Sequence, residues 1–416
     1  MDPEYLAAVK EKKKVKKKEL KRMERRFEIS IATLNIVTLN GKMEEVIDTM
    51  QTRKLDILGL SETKWKGVGS KELRDGYKIW WSGGKEGKNG VGIVVSPEIK
   101  EDIIEIKNSS DRMIKMEVLI GKRQTNIIQV YAPQVGRPMD EKASFIDSIE
   151  REITSERVII MGDMNAKVGE NQKGWDGVLG AHGYGRRDKE GEMLLEMCSR
   201  NSLVIANSIF KKKVKHKITR YGWDGETESV IDYIVVSKEM MPVVRDVKVI
   251  PSIALDGDHR LLVATIKAQK LRKNTKLSRT KKLKIWQLQE EKLRELFRKK
   301  TQGKIPQGDL KDVEEEWCAL RNTLVGITEE LCGRVSGKRK RKETPWWNEN
   351  VKAAVKQKKE TWKKKEEDRS IENILKYEQS KKEVKETVKL EKQKSMVKLA
   401  EKLKSDFMGT KRCCTV

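Results

Sequence analysis

Histidine and cysteine are scarce in this 416-residue sequence, with three of the first and five of the second. The cysteines (Cys198, Cys318, Cys332, Cys413, Cys414) form no CxxC pair and keep no regular spacing, and the histidines are dispersed. That pattern argues against a structural zinc site and leaves free thiols in a reducing compartment as the expectation. No apolar run approaches the ~18 residues a membrane span requires, so no membrane association is expected. The opening MDPEYLAAVKEKKKVKKK has no apolar h-region, which argues against a secretory signal. The final CCTV matches a prenylation box only loosely, because valine is a poor last residue. There is no internal repeat of fixed period.

Positive charge, by contrast, is abundant: +26 in all, and unevenly placed. Residues 1–30 carry a surplus of +5 and residues 270–416 a surplus of +19, which leaves 31–269 at only +2. Basic flanks around a near-neutral core suit a polyanion, because neutralised phosphates release counterions and give sequence-blind affinity. The competing reading is a solvated, lysine-rich helix that keeps the protein soluble. KKKVKKK at 12–18 and KRKRK at 338–342 suit nuclear localisation signals, or equally a helix face or phosphate patch. A nuclear or nucleocytoplasmic location is the expectation.

Three segments follow: a basic N-terminal extension (1–27), a central domain (28–269) and a basic helical tail (270–416). Residues 6–26 read as a short basic helix. Candidate strands are 28–36, 56–61, 77–81, 91–95, 112–120, 125–131, 158–162, 203–206, 231–236 and 261–266, with helices at about 42–53, 139–153 and 189–201, the last starting near Asp188. Many strands with few helices suggest two packed sheets with helices outside them; a doubly wound parallel sheet is the alternative, but strict βα alternation is missing. In the tail, 309–333 carries an apolar seam (Val313, Trp317, Leu320, Leu324, Ile327, Leu331) between a capping Asp309 and Gly333. That seam is expected to pack on another helix, 283–298 with Trp286, Leu293 and Phe297, so 283–331 is a candidate helix–helix partner region. Residues 348–404 read as one helix rich in lysine and glutamate, held by i,i+4 pairs and partly disordered.

Six short motifs occupy the central domain in order: TLN (33–35), GLSE (59–62), QVYAP (129–133), GDMNA (162–166), IDYIVVS (231–237) and GDHRLL (257–262). Glu62 closes an apolar strand, where its carboxylate can meet a hard cation such as Mg²⁺, which keeps several waters and needs few protein ligands. Alternation puts Asp163 and Asn165 on one side, with Met164 opposite. Asp163 can accept a proton from, or align, an attacking water while the Asn165 amide donates to a phosphate oxygen; the alternative is an Asx turn. His259 stands beside Asp258 before an apolar strand. Its imidazole can donate to a phosphoryl oxygen, with Asp232 the better candidate to fix its tautomer and Asp258 pointing elsewhere, toward metal. Tyr131 can hydrogen-bond the scissile phosphate or simply pack an edge strand, and Asn35 can orient Glu62. Trp65, Lys66, Arg186, Arg187, Lys211–Lys213, Lys215, Lys217, Arg220 and Trp223 interleave basic and aromatic groups, as a groove tracking a phosphate backbone would; a charged surface with packed tryptophans reads the same way. His182 and His216 are expected to be solvated or to contact nucleic acid.

These motifs in this order resemble the endonuclease/exonuclease/phosphatase superfamily, over about 28–269. Within it, LSETKWKG, VYAP, MGDMNAKVG and GRRDKEGEMLLEMCSRNSLVIANSIF are similar to endonuclease domains of LINE-type retrotransposons, and to the craniofacial development protein 2-like group derived from them. The resemblance implies a four-layer α/β sandwich (two packed mixed β-sheets flanked by helices) and Mg²⁺ as cation, Mn²⁺ being a possible substitute, with no small-molecule cofactor. It assigns Glu62 and Asp258 to the metal, Asp163 to aligning the nucleophile, Asn35 and Asn165 as active-site amides, Tyr131 to the phosphate and Asp232–His259 to a hydrogen-bonded dyad. The sequence departs from the pattern at Leu34, where relatives often have Trp; at Val37, where some place a further carboxylate; and at Gly257, usually Ser. No YxDD-type polymerase motif precedes Val416, so a nuclease module with a helical tail, truncated or domesticated, is expected.

The resulting expectation is a Mg²⁺-dependent endonuclease of DNA, with RNA a further partner for the tail. Its rivals are a catalytically weak or inactive nucleic-acid- or chromatin-binding protein on the same fold, and a phosphatase of phosphoinositide-like esters.

Overall fold

Two periods in the sequence, 2 for strands and 3.6 for helices, decide which side chains share a layer. The computed structural model describes residues 28–121, 123–222, 227–253, 255–268, 283–302, 313–333, 344–368 and 370–412. The expected helix at 6–26, both lysine-rich motifs, Asp309, Trp223 and the CCTV end lie outside them. In chain order the strands are β1 (Glu28–Asn35), β2 (Ile57–Ser61), β3 (Val68–Glu72), β4 (Lys78–Ser82), β5 (Val91–Val95), β6 (Ile103–Ser110), β7 (Met113–Ile120), β8 (Arg123–Tyr131), β9 (Val158–Asp163), β10 (Leu203–Ile205), β11 (Arg220–Tyr221), β12 (Glu228–Ser229), β13 (Asp232–Ser237), β14 (Val244–Ile250) and β15 (Leu261–Lys267). The α-helices are α1 (Met43–Arg53), α2 (Met139–Glu152), α3 (Lys189–Arg200), α4 (Glu291–Gln302), α5 (Val313–Cys332), α6 (Glu349–Glu367) and α7 (Ile371–Arg412).

One mixed sheet runs β14-β15-β1-β2-β5-β4-β3 and the other β10-β13-β9-β8-β7-β6. Alternation then builds four layers. Ile29 and Ile31 of β1, Ile127 of β8 and Ile159 and Met161 of β9 fill the space between the sheets. Their neighbours face outward, Ala32 and Leu34 toward Val46, Ile47 and Met50 of α1. Ile128, Val130, Val158 and Ile160 meet Phe145 and Ile149 of α2 and Leu194, Leu195 and Met197 of α3. α3 begins where the sequence places it, with the Asp188 carboxylate accepting from Gly191 N at 2.7 Å.

A polar girder crosses the apolar middle layer. The Gln129 amide accepts from Thr33 Oγ1 at 3.2 Å and donates to Ser61 Oγ at 2.9 Å. Gly59 makes room for it, since a Cβ there would sit 1.8 Å from Gln129 Oε1. These three partners lie within two residues of the ends of β1, β2 and β8, just before the site.

Five strands have no counterpart in the sequence reading, among them the two-residue pair β11 and β12, too short to carry a period. β3 and β6 are edge strands exposed on most positions, so neither shows an apolar alternation. β14 does alternate, but a register shift between Val244 and Asp246 breaks the pattern.

Among the described residues, 28–268 with 344–412 form one compact unit and 283–333 a second. In the second, the expected helix over 283–298 opens as a 3-10 turn (Ile285–Gln289), because Arg294 takes the carbonyls of Leu288 and Gln289 and the chain is extended at Glu290. Trp286 and Trp317, expected in a buried seam, are both more than half exposed; the buried part of α5 is its end, at Ile327, Thr328 and Cys332. In the first unit, the helix read across 348–404 is two. α6 ends at Asp368, which is extended, and Asp368 instead anchors the Asn373 side chain at the start of α7. The hairpin has a core of its own, Trp362 with Tyr377 and Val351 and Val355 with Val384, which charge pairing alone does not describe.

Candidate active site

Register brings the motifs to one edge of the sandwich. β1 and β2 run parallel with Asn35 opposite Ser61, so Glu62 follows one residue beyond Asn35. β8 and β9 run parallel with Tyr131 opposite Asp163, and β13 returns antiparallel with Asp232 opposite the same Asp163. His259 precedes β15, which pairs with β1. The carboxyl ends of four strands and the starts of two therefore meet. Gly162 allows the close approach of β8 to β9: its φ is +147°, and a Cβ there would lie 2.0 Å from Val130 O.

At that edge the Asn35 amide nitrogen donates to Glu62 Oε1 and to Asp163 Oδ2, both at 2.9 Å. The Tyr131 hydroxyl donates to the same Glu62 oxygen at 2.9 Å, while Lys64 Nζ stands 3.6 Å from Oε2. Glu62 adopts a left-handed backbone, φ +55°, as do Val37 (φ +61°) and Asn165 (φ +45°) around the same cavity. For a β-branched valine this conformation is strained, the kind of outlier that collects at functional sites. Asn165 is held from two sides: its backbone N–H donates to Asp163 Oδ1 at 3.0 Å and its side-chain amide to Ala132 O at 2.9 Å. One amide N–H of Asn165 is thus already engaged with the backbone.

On the far side of Asp163 lies the dyad. His259 Nδ1 and Asp232 Oδ2 are 2.8 Å apart, and His259 Nε2 is 3.8 Å from Asp163 Oδ2. Burial lowers an imidazole's affinity for protons, but Asp232 and Asp163 together outweigh it and push the His259 pKa up to about 9. Burial raises the Asp163 carboxyl to about 7, opposed by the His259 charge and reinforced by Asp232. Burial and the adjacent Glu62 also raise the Tyr131 phenol, which stays a donor.

Glu62, Asp163, Asn165, Asp258, His259, Arg220, Gln134 and Val37 line one cavity of about 440 Å³. Asp258, expected beside the metal, is engaged in an ion pair with Arg220 at 2.8 Å. A second cavity of about 290 Å³ shares Glu62 and Gln134 with the first and is walled by Lys64, Lys88, Arg112 and Arg137.

The other candidate nucleic-acid residues separate. Lys66 and Arg186 are exposed. Trp65 packs edge-to-face on Trp81 at 4.9 Å and donates to Asn40, so much of its indole serves packing. Arg187 braces the carbonyls of Val168 and Asn171, and Lys217 donates to Gly183 O at 3.2 Å. His216, read as solvated or a nucleic-acid contact, is half-buried in a 3-10 turn with Nδ1 3.1 Å from Val249 O. Among the site neighbours that escaped the sequence reading, two touch Tyr131. Gln134, donating to the Tyr131 hydroxyl at 3.3 Å, directly follows the YAP motif and was legible there. Arg112, 5.3 Å from the Tyr131 ring centre, arrives from the adjacent strand start and has no local signal.

Asp163, Asp232 and His259 offer ligand atoms all within 4.8 Å of one another, a cluster able to hold a divalent cation. Two of those atoms already satisfy each other, whereas Glu62, its Oε2 3.6 Å from Lys64 Nζ, lines the cavity with a hard carboxylate.

A model of the endonuclease/exonuclease/phosphatase family matches residues 33–259. Craniofacial development protein 2 of Bos taurus is 33% identical over 242 residues, covering 57% of this chain and 40% of that protein. The protein of the same name from Tragulus javanicus is 32% identical over 242 residues, covering 57% of this chain and 42% of its own. The chain thus spans about two fifths of the length of these curated relatives. Among solved structures, the endonuclease domain of TRAS1, a telomere-specific non-LTR retrotransposon, is 17% identical with a TM-score of 0.43, covering 58% of this chain and 100% of that one. The Xenopus laevis APE2 catalytic domain is 15% identical with a TM-score of 0.47, covering 59% of this chain and 94% of that one.

Proposed function

The chain belongs to the endonuclease/exonuclease/phosphatase family, and from that premise we propose that residues 28–269 form a Mg²⁺-dependent DNA endonuclease, hydrolysing a phosphodiester by in-line attack of water. The observation that carries this reading is the Asn35 amide bridging Glu62 and Asp163, with the Asp232–His259 dyad on the other side of Asp163 and one cavity lined by Glu62, Asp163 and His259.

Glu62 is the residue to hold the cation. Its Oε1 is fixed by Asn35 and Tyr131, which leaves Oε2, 3.6 Å from Lys64 Nζ, as the oxygen for a cation. Asp258 stands on the same wall as a further carboxylate, shared with Arg220. A bound Mg²⁺ or Mn²⁺ would offset charge on the phosphate oxygens. Asp163, whose pKa lies near neutrality, aligns a water and takes its proton. His259, held as an imidazolium by Asp232, donates from Nε2 to a phosphoryl oxygen, and Asn165 offers its remaining amide N–H. Lys64, Lys88, Arg112 and Arg137 give the neighbouring cavity the charge to take flanking phosphates. Cleavage leaves a 3′-hydroxyl and a 5′-phosphate. Nuclear or nucleocytoplasmic residence, and RNA contact through the basic tail, belong to the same proposal.

Purified chain incubated with supercoiled plasmid tests it. Nicking is expected with Mg²⁺ or Mn²⁺ and none with EDTA, and Glu62→Ala and His259→Ala should each lose about 10²- to 10³-fold. Absence of nicking by wild type, or variants as active as wild type, refutes the reading. The Arg220–Asp258 pair is the one observation favouring a binding protein without catalysis, since it occupies a carboxylate that would otherwise face the metal. Salt-sensitive DNA binding without nicking would support that second reading.

A further inference from the structure

The loop between β14 and β15 carries Asp258 and His259, and both of its flanks are gripped by the hairpin α6–α7. On one side Lys358, fully buried, bonds Glu45 at 2.8 and 2.9 Å and reaches Asp256 at 3.3 Å. Asp256 has a left-handed backbone, φ +59°, and the Tyr377 hydroxyl donates to its Oδ1 at 3.5 Å. On the other side the Arg260 guanidinium lies 4.4 Å from the Trp362 ring centre and 4.5 Å from that of Tyr221. Held between the two rings, Arg260 donates to the carbonyls of Asp258 and His259 at 3.4 Å.

We propose that the hairpin is an internal clamp on this loop, in which Trp362 and Lys358 act as positioning residues that fix His259 against Asp232 and Asp163. This rests on the reading of His259 as catalytic. An apolar helix face would dock at less desolvation cost than a buried lysine, and buried ion pairs are best attested as devices that fix register. Here the register fixed is that of Asp256 and Arg260, which stand on either side of His259 in the chain. Small displacements of a reacting group cost rate without loosening substrate, so the clamp acts on kcat.

Nicking kinetics of the full chain test the clamp with Trp362→Ala, Trp362→Phe and Lys359→Ala, together with deuterium exchange over 255–261. Lys359 pairs with Asp48 at 2.6 Å on the same docked helix and serves as control. Trp362→Ala is expected to lower kcat about 10- to 100-fold with KM within about twofold, and to speed exchange in the loop. Trp362→Phe restores the ring and most of kcat, and Lys359→Ala matches wild type. A folded Trp362→Ala with unchanged kcat, or with raised KM at unchanged kcat, overturns the clamp. If Trp362→Ala does not fold, Tyr377→Phe carries the test, with a severalfold fall in kcat expected and no change refuting it. A wild type that fails to nick refutes the endonuclease reading instead, and the exchange data alone then decide whether the hairpin orders the loop.

Discussion

Asn35 gives the sharpest test of the site's electrostatics that does not depend on turnover. Its amide nitrogen is 2.9 Å from a carboxylate oxygen of Glu62 and 2.9 Å from one of Asp163. Asn35→Asp preserves shape and replaces that donor by a third acidic group. Each hydrogen bond to a charged partner contributes about 1.5–3 kcal/mol, so losing two costs about 3–6 kcal/mol. Repulsion adds to this: two unit charges 4 Å apart at an effective dielectric of 20 repel by about 4 kcal/mol, an upper bound because the new carboxyl can keep its proton. Urea unfolding in EDTA should therefore show Asn35→Asp destabilised by at least about 3 kcal/mol at pH 8, and by less at pH 5, where protonation relieves the crowding. Adding Mg²⁺ should recover more stability in the variant than in wild type. A loss under about 1 kcal/mol at pH 8, with no pH dependence, would refute the bridge.

The dyad predicts a pH effect of definite sign. His259 is held above its ordinary value of 6.5, up to about 9, so it stabilises the fold fully below about 6.5 and loses that contribution as pH rises through about 9. In EDTA, the Tm gap between wild type and His259→Asn should narrow from pH 6 to pH 10; a gap that widens contradicts the assignment. Gly59→Ala should cost about 2–5 kcal/mol in denaturant unfolding, because its Cβ evicts the Gln129 amide from Thr33 and Ser61 and leaves buried groups unpaired. A neutral Gly59→Ala would show that the girder is dispensable.

The site was legible because its residues end strands, and strand ends are marked twice in sequence, by the apolar run and by the polar residue that stops it. GLSE, QVYAP and GDMNA all have that form, and Glu62, Tyr131 and Asp163 converge as a result. With three histidines and one of them beside an apolar strand, His259 stood out in the sequence, whereas its pairing with Asp232 was what the family resemblance implied. Partners reached across the fold left no such mark. Arg220 on Asp258 and Arg112 on Tyr131 depend on registers that no local pattern encodes. The tail misled for a different reason. Its lysines and glutamates read as i,i+4 pairs within one helix, yet Lys358 is buried by meeting Glu45, 313 residues away. A lone lysine in a basic helix carries no sign that its counter-charge waits on another element.

Direct titration with Mn²⁺, followed by electron paramagnetic resonance of the free ion, bears most closely on the cation cradle. One saturable ion per chain is expected, displaced by Mg²⁺ and weakened at least about tenfold by Glu62→Ala. Saturable binding indifferent to Glu62→Ala, or none at all, would contradict the account.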